Sequence, residues 1–122
     1  MARILVVDDD GLFRSLMREL LELEGHEVTE AGDGREALAL CQDQPFDLFI
    51  TDILMPERDG LETIKELRRR RPEAKIIAVS GGGLLAPEGY LAVAARLGAQ
   101  WGLVKPFANE ELVEAVRALV SG

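Results

Sequence analysis

The chain has 122 residues, of which 48% are hydrophobic and only 5% aromatic, so we expect one domain, residues 1–122, with an aliphatic core. Its formal net charge of −8 argues against non-specific binding of nucleic acid by the domain itself. The single cysteine, Cys41, excludes an intrachain disulfide framework, and the absence of a signal peptide or of an apolar run of about 18 residues predicts a soluble, cytoplasmic protein.

The first half of the chain reads as strand, helix, strand and helix. RILVV at 3–7 is almost entirely β-branched or Leu, which is typical of a strand buried on both faces. Apolar residues at helical spacing predict a helix from Leu12 to Gly25. HEVTEA at 26–31 is half polar, which favours an edge strand, and a second helix is predicted from about Asp33 to Asp43.

The second half continues the alternation. Strands are predicted for FDLFIT at 46–51, AKIIAVS at 74–80 and WGLV at 101–104, and helices at 61–71, at 87–97 and from Leu112 to Val120. Regular alternation of strand and helix predicts a parallel sheet covered by helices on both faces. With its polar second strand at the edge, the chain fits an α/β fold, a doubly wound, flavodoxin-like (βα)₅ sheet of order 2-1-3-4-5.

Polar side chains stand where the central strands are predicted to end. They are Asp8–Asp10 after strand 1, Asp52 after strand 3, Ser80 after strand 4 and Lys105 after strand 5. In doubly wound sheets, ligands bind at the carboxyl ends of the strands, near the switch point between strands 1 and 3. Polar residues commonly end strands, which explains any one of these residues but poorly explains the whole set.

The chemistry of this set is coherent. Crowded carboxylates repel one another and oppose burial unless a cation neutralises them. Mg²⁺ takes one or two carboxylates together with water and phosphate oxygens. One carboxylate can instead act as a nucleophile and become an acyl phosphate, while the metal, a lysine and a hydroxyl stabilise the transferring phosphoryl group. The sequence therefore predicts a magnesium-dependent phosphoryl-transfer site.

Four motifs, in the right order and over essentially the whole chain, resemble the receiver domain of two-component response regulators: ILVVDDD, DLFITDILMPERDGLE, IIAVSG and VKPF. The resemblance implies that Asp52 is the phosphoacceptor, that Ser80 and Lys105 contact phosphoryl oxygens, and that the peptide bond before Pro106 is cis. It also implies Mg²⁺ as the cofactor, with these ligands: Asp8 (mostly through water), Asp9, Asp52 and the backbone carbonyl of Leu54.

The resemblance also implies partners. The only histidine, His26, opens the predicted edge strand away from the site, so the phosphoryl donor must be another molecule, a histidine kinase or a histidine phosphotransfer protein. A downstream protein target receives the signal, a homodimer is left open, and no membrane or direct nucleic-acid partner is expected. The chain departs from the family at Gly102, because receiver domains usually carry Tyr or Phe three residues before the lysine, where it takes part in signalling.

Three functions are considered. The first is a phosphoacceptor signalling domain that catalyses only its own phosphorylation and dephosphorylation and is otherwise not an enzyme. The second is a phosphate-independent pseudo-receiver that acts as a binding module, against which the intact acidic, hydroxyl and lysine residues argue. The third is a hydrolase or transferase with an aspartyl nucleophile, for which a chain of 122 residues leaves little room for a substrate pocket or cap.

Other conspicuous residues are assigned structural roles. Asp10 is expected to cap the first helix, Cys41 to lie in the core, and Trp101 to pack rather than stack on a ligand. The run RRRR at 68–71 is interpreted as the solvated last turn of a helix, where cations complement the helix dipole, in preference to a basic binding patch.

Overall fold

Five strands alternate with five helices in the computed structural model, which describes residues 1–53, 60–81 and 87–120. In chain order the elements are β1 (Arg3–Val7), α1 (Gly11–Leu23), β2 (Glu27–Ala31), α2 (Gly34–Asp43), β3 (Leu48–Asp52), α3 (Gly60–Arg70), β4 (Lys75–Ser80), α4 (Pro87–Leu97), β5 (Trp101–Val104) and α5 (Asn109–Val120). Within the described ranges, none of the helices has the length and hydropathy that crossing a bilayer requires.

The strands form one parallel sheet of order β2-β1-β3-β4-β5. The predicted order is confirmed, and the polar strand β2 lies at an edge. The chain passes from β1 to β2 on one side and then returns to β3 on the other, so the connections that follow β1 and β3 diverge at this point. The divergence opens the edge of the sheet where ligands of such folds bind.

The core lies on both faces of the sheet, because alternate side chains of each strand point to opposite sides. On β1, Leu5 and Val7 enter a cluster covered by α2, α3 and α4, whereas Ile4 and Val6 enter a cluster covered by α1 and α5. All four side chains are fully buried. This double burial accounts for the continuous apolar runs of the central strands and holds their carboxyl ends in fixed relative positions.

The third strand begins later than predicted and includes Asp52. Pairing with β1 starts at Ile4 and Leu48, so Phe46 precedes the ladder and packs edge-to-face on Phe49 at 5.8 Å. Periodicity does not separate an apolar residue that pairs from one that only packs. The shift places Asp52 inside the strand, opposite Val79 of β4, with its backbone held by the sheet.

The structural assignments are mostly confirmed. The carboxylate of Asp10 accepts hydrogen bonds from the backbone N–H groups of Leu12 and Phe13 and so caps α1. Cys41 is buried in the core, and Trp101 packs against the cluster under α1 and α5.

The arginine run lies at the end of α3, as interpreted, but two of its members are only partly exposed and donate to backbone carbonyls. Arg69 and Arg70 pair with Glu66 on the surface of α3. In contrast, Arg68 donates to the carbonyl of Gly98 at 2.7 Å, and Arg71 donates to the carbonyl of Cys41 at 2.7 Å. These two guanidinium groups fasten the end of α3 to its neighbours on both sides.

The start of α3 lies directly against the end of β3. Gly60 is buried, and a Cβ atom at this position would lie 2.2 Å from the carbonyl oxygen of Asp52 and 2.4 Å from Cα of Ile53. Both contacts are with backbone atoms, which no side-chain rotation can relieve. Glycine at position 60 therefore lets α3 buttress the backbone of Asp52.

We predict that Gly60→Ala destabilises the fold by about 2 kcal/mol or more, because the added methyl group must displace α3 or the end of β3. The matched control is Gly11→Ala at the first residue of α1, where the nearest atom to an added Cβ would be a side-chain atom of Arg14 at 3.6 Å. The control should stay within about 1 kcal/mol of the unsubstituted protein. Urea denaturation measures both, and equal stabilities would contradict the prediction.

Candidate functional site

Side chains from three strand ends meet at the carboxyl edge of the sheet. Asp8 follows β1, Asp52 ends β3 and Lys105 follows β5. The Nζ atom of Lys105 donates hydrogen bonds to Oδ2 of Asp8 at 3.1 Å and to Oδ2 of Asp52 at 2.9 Å. The exposed fraction is 1% for the side chain of Asp8, 8% for Asp52 and 24% for Lys105. These ion pairs are therefore much less screened by water than surface pairs are.

Backbone hydrogen bonds extend the sheet by one residue at each of these ends. The N–H of Asp8 donates to the carbonyl of Ala31, and the N–H of Ile53 donates to the carbonyl of Val79. The N–H of Lys105 donates to the carbonyl of Ser80 at 2.8 Å. Because Asp8, Asp52 and Lys105 lie in or directly beside the ladder, the position of each is set by the sheet rather than by a flexible loop.

Asp9 joins this site to form an acidic cluster. Asp8, Asp9 and Asp52 each offer a carboxylate oxygen within 4.8 Å of the others. Asp9 is exposed, whereas Asp8 and Asp52 are buried. Three carboxylates and one ammonium leave an excess of negative charge, and oxygen ligands of this kind suit a hard divalent cation such as Mg²⁺.

Both carboxylate oxygens of Asp8 accept hydrogen bonds from other groups of the protein. Its Oδ1 atom accepts the N–H of Asp10 at 2.9 Å, and its Oδ2 atom accepts the Lys105 ammonium. Asp9 is the more open of the two neighbouring acids. This division suits the roles that the resemblance implies, in which Asp9 binds a metal directly and Asp8 acts mostly through water.

The environment shifts the pKa values of two groups in the site. Burial raises the pKa of Asp8, the negative charge of Asp52 adds to this effect, and the hydrogen bonds from Asp10 and Lys105 offset only part of it. Burial on its own would lower the pKa of Lys105, but the hydrogen bonds and charges of Asp52 and Asp8 outweigh it and raise that pKa. Lys105 therefore stays cationic, while ionisation of Asp8 is opposed.

Ser80 ends β4 between the strands that carry Asp52 and Lys105. Its side chain is fully buried, and its hydroxyl oxygen has no hydrogen-bond partner among the described residues. A buried hydroxyl without a partner costs free energy and is uncommon in folded proteins. The unsatisfied hydroxyl thus marks a place where an oxygen atom of a ligand would be bound favourably.

The structure brings Asp8, Asp9, Asp52 and Lys105 together and places Ser80 on the intervening strand. Leu54, whose carbonyl the resemblance implies as a metal ligand, lies outside the described residues. The chemical roles of all these residues stay predictions at this point. The peptide bond between Lys105 and Pro106 is cis, as the resemblance implies.

Two residues of α1 contact the site although no sequence motif predicts that they do. The ring centroid of Phe13 lies 4.3 Å from Nζ of Lys105. Arg14 donates to the carbonyl of Asp8 at 2.6 Å and to Oε1 of Glu30 at 2.7 Å. In the sequence, Phe13 is one member of an apolar stripe and Arg14 one residue of a polar face. The only sequence signal that Phe13 and Arg14 face the strand ends is their position one turn after the Asp10 cap.

Gly102, where the family usually has an aromatic residue, is exposed but lies beside Leu91 of α4. A Cβ atom on Gly102 would lie 3.0 Å from Cδ2 and 3.1 Å from Cδ1 of Leu91. The space into which a side chain at position 102 would begin to extend is thus occupied by a leucine of α4. This chain therefore joins α4 to the strand that leads to Lys105 through a contact between Leu91 and the β5 backbone.

Comparison with known proteins agrees with this geometry. The family described as the response regulator receiver domain matches residues 4–117. The transcriptional regulatory protein CpxR of Klebsiella pneumoniae is 41% identical over 120 residues, which cover 98% of this chain and 50% of that protein. The chemotaxis protein CheY of Thermotoga maritima is 37% identical over 115 residues, which cover 93% of each protein. The chain thus spans about half the length of the CpxR regulators and nearly the full length of CheY.

Solved structures show the same fold. The response regulator TrrA of Thermotoga maritima, determined in complex with Mg²⁺ and BeF, has a TM-score of 0.86 and 38% identity, and the match covers 98% of this chain and 100% of TrrA. A CheY-like receiver domain protein of Methanospirillum hungatei has a TM-score of 0.89 and 31% identity, and the match covers 97% and 92% of the two chains. The family match over most of the chain, together with these relatives, shows that the protein belongs to the response regulator receiver domain family.

Proposed function

We propose that residues 1–122 act as one receiver domain that takes a phosphoryl group onto Asp52 with the help of Mg²⁺ and later loses it to water. Membership of the family establishes a part in two-component signalling, and the phosphoacceptor chemistry is the proposal. The observation that carries it is the joint placement of a buried carboxylate, a lysine 2.9 Å from it and a buried hydroxyl without a described partner. Each of these groups suits one atom of a transferring phosphoryl group.

In the proposed transfer, a carboxylate oxygen of Asp52 attacks the phosphorus atom of a phosphohistidine. The new P–O bond forms as the P–N bond breaks, and the imidazole leaves with the electron pair of that bond. Lys105 then pairs with a phosphoryl oxygen, and the hydroxyl of Ser80 donates to another. Attack by water later releases inorganic phosphate and restores the carboxylate, so the domain catalyses only its own modification and its reversal.

The acidic cluster fits a magnesium ion. Asp9 and Asp52 would hold the ion, Asp8 would support it, and the carbonyl of Leu54 is implied by the family resemblance alone. Bound Mg²⁺ would neutralise negative charge on the carboxylates and on the phosphoryl oxygens. The excess of carboxylates over ammonium groups in the site supports this assignment.

We propose that the donor is a histidine kinase or a histidine phosphotransfer protein. The single histidine, His26, accepts a hydrogen bond from the N–H of Ala2 at 3.1 Å through Nδ1, at the amino-terminal end of the sheet. It is therefore placed at the opposite end from Asp52 and cannot reach it. The recipient of the signal would be a downstream protein.

The buried, unpaired Cys41 suits a reducing compartment such as the cytoplasm.

We predict that acetyl phosphate adds one phosphoryl group to the protein only when Mg²⁺ is present, and that Asp52→Asn abolishes the addition because the nucleophile is lost. Intact-mass measurement reads the product directly. Asp9→Asn should label slowly and need a higher Mg²⁺ concentration, because it removes a ligand of the ion.

The matched control is Asp47→Asn, which removes a carboxylate at the opposite end of β3, where Asp47 accepts the N–H of Arg3. This variant should label at the rate of the unsubstituted protein. Equal labelling of Asp52→Asn would overturn the assignment of the phosphoacceptor, and a complete lack of labelling in the unsubstituted protein would favour a pseudo-receiver.

The raised pKa of Asp8 predicts a dependence of stability on pH. Because the folded state binds this proton more tightly than the unfolded chain, the stabilisation is complete below the unfolded value of 3.8 and is lost as the pH rises through the folded value. Without Mg²⁺, Asp8→Asn should therefore unfold at a higher temperature than the unsubstituted protein near neutral pH. The difference should vanish in acid.

Thermal unfolding with and without Mg²⁺ checks this prediction. Mg²⁺ should raise the unfolding temperature of the unsubstituted protein more than that of Asp8→Asn, because binding to the folded state stabilises it by mass action. Asp47→Asn should respond to Mg²⁺ as the unsubstituted protein does. An Asp8→Asn variant that is less stable than the parent at neutral pH would show that the Lys105 pair outweighs the burial of the charge.

Ser80→Ala should separate stability from activity. Because the Ser80 hydroxyl has no described partner, its removal should leave the free energy of unfolding unchanged or raise it, whereas labelling by acetyl phosphate should slow on the order of 10- to 100-fold. Thr51→Val provides the contrast, since the Thr51 hydroxyl donates to the carbonyl of Asp52 at 3.1 Å and its loss should cost about 1 kcal/mol. A destabilised Ser80→Ala with normal labelling would contradict the role of Ser80.

A further inference from the structure

We propose that Phe13 is a positioning residue for phosphoryl transfer, whose aromatic ring holds the ammonium group of Lys105 beside Asp52 and Asp8. The inference rests on the proposed function of Asp52 and adds a residue to that site. It assigns a specific electrostatic role to a side chain that the sequence presents only as part of an apolar stripe.

The ammonium group of Lys105 has an aromatic ring and two carboxylates as neighbours. Nζ of Lys105 lies 4.3 Å from the centroid of the Phe13 ring, within the range of an attraction between a cation and the electron-rich face of an aromatic ring. The same atom donates to Asp52 at 2.9 Å and to Asp8 at 3.1 Å. Only 24% of this side chain is exposed.

The ring itself is held from two directions. Phe107 packs edge-to-face against Phe13, with centroids 5.6 Å apart and an angle of 80° between the planes. The backbone N–H of Phe13 donates to the carboxylate of Asp10 at 3.2 Å, which caps α1 directly after Asp8 and Asp9. The segment that carries the acidic cluster therefore also sets the place of the ring.

A ring suits this place better than another acid. Lys105 carries its charge at the end of a flexible chain, so the ammonium must be restrained if it is to reach a phosphoryl oxygen in the right direction. The site already contains three carboxylates, and a further acid would add to their repulsion. An aromatic face attracts the ammonium without adding net charge and keeps water from one side of it.

Simple packing is the competing explanation, since Phe13 also lies at the border of the cluster under α1 and α5. The two explanations differ in what the ring must supply. Packing depends on the size and shape of the ring, whereas attraction of the ammonium depends on the electron density of its face. Fluorine atoms withdraw that density while changing the size of the ring only slightly.

The first test replaces Phe13 by mono-, di- and trifluorinated phenylalanine and measures the rate of Asp52 labelling by acetyl phosphate at saturating Mg²⁺. We expect the rate to fall stepwise with each fluorine, with the trifluorinated ring approaching the rate of Phe13→Leu and Phe13→Tyr keeping most of the parent rate. The matched control is the same series at Phe46, a partly buried ring with an edge-to-face partner, Phe49, at 5.8 Å and outside the site. The control series should be flat.

The second test is a spectroscopic measurement that does not depend on phosphoryl transfer. Because the ring lies beside the end of Lys105, the ε-methylene protons of that residue should be shielded in the NMR spectrum of the protein without Mg²⁺. Phe13→Leu should remove the shielding, and Phe46→Leu should preserve it.

The outcomes distinguish the two proposals. A flat Phe13 series, or unshielded Lys105 protons, in a protein that labels normally on Asp52 overturns the role of Phe13 and leaves the phosphoacceptor proposal intact. Failure of the unsubstituted protein to label overturns both, even where the shielding is present.

Discussion

The bifurcated ion pair of Lys105 with Asp8 and Asp52 is the interaction around which the carboxyl edge of this sheet is organised. Its three members come from the ends of β1, β3 and β5 and are brought together only because those strands lie in one parallel sheet. One ammonium cannot balance three carboxylates. The edge therefore keeps an excess of negative charge that the fold tolerates rather than benefits from.

Burial of apolar side chains elsewhere in the molecule offsets the unfavourable free energy of this excess charge. Two aliphatic clusters cover the two faces of the sheet and bury all of β3 and all but the first residue of β1 and of β4. Against that background the protein maintains a buried acid with a raised pKa and the buried hydroxyl of Ser80 without a described partner. Such locally unfavourable groups are common at functional sites, because a ligand can relieve them when it binds.

The surroundings of the site connect it to the helices. Gly60 brings α3 against the backbone of Asp52, and Arg68 fastens the end of α3 to Gly98. On the other side, Leu91 of α4 rests on Gly102 of β5, three positions before Lys105. The site is therefore connected to α3 and α4 through contacts near the backbone of β3 and β5.

The sequence alone determined the alternation of elements, the order of the sheet, the Asp10 cap and the polar residues at the strand ends, because these depend on local periodicity and on motifs of a few residues. The tertiary structure decided the contacts between elements: the Phe13 ring at Lys105, the anchoring of α3 by Arg68 and Arg71, and the leucine over Gly102. Each of these contacts joins residues that are far apart in the chain. The residues involved look, in the sequence, like the other members of the same helix face. Composition and spacing carry no information on which side chain fills such a contact, because it depends on how packed helices and strands approach one another.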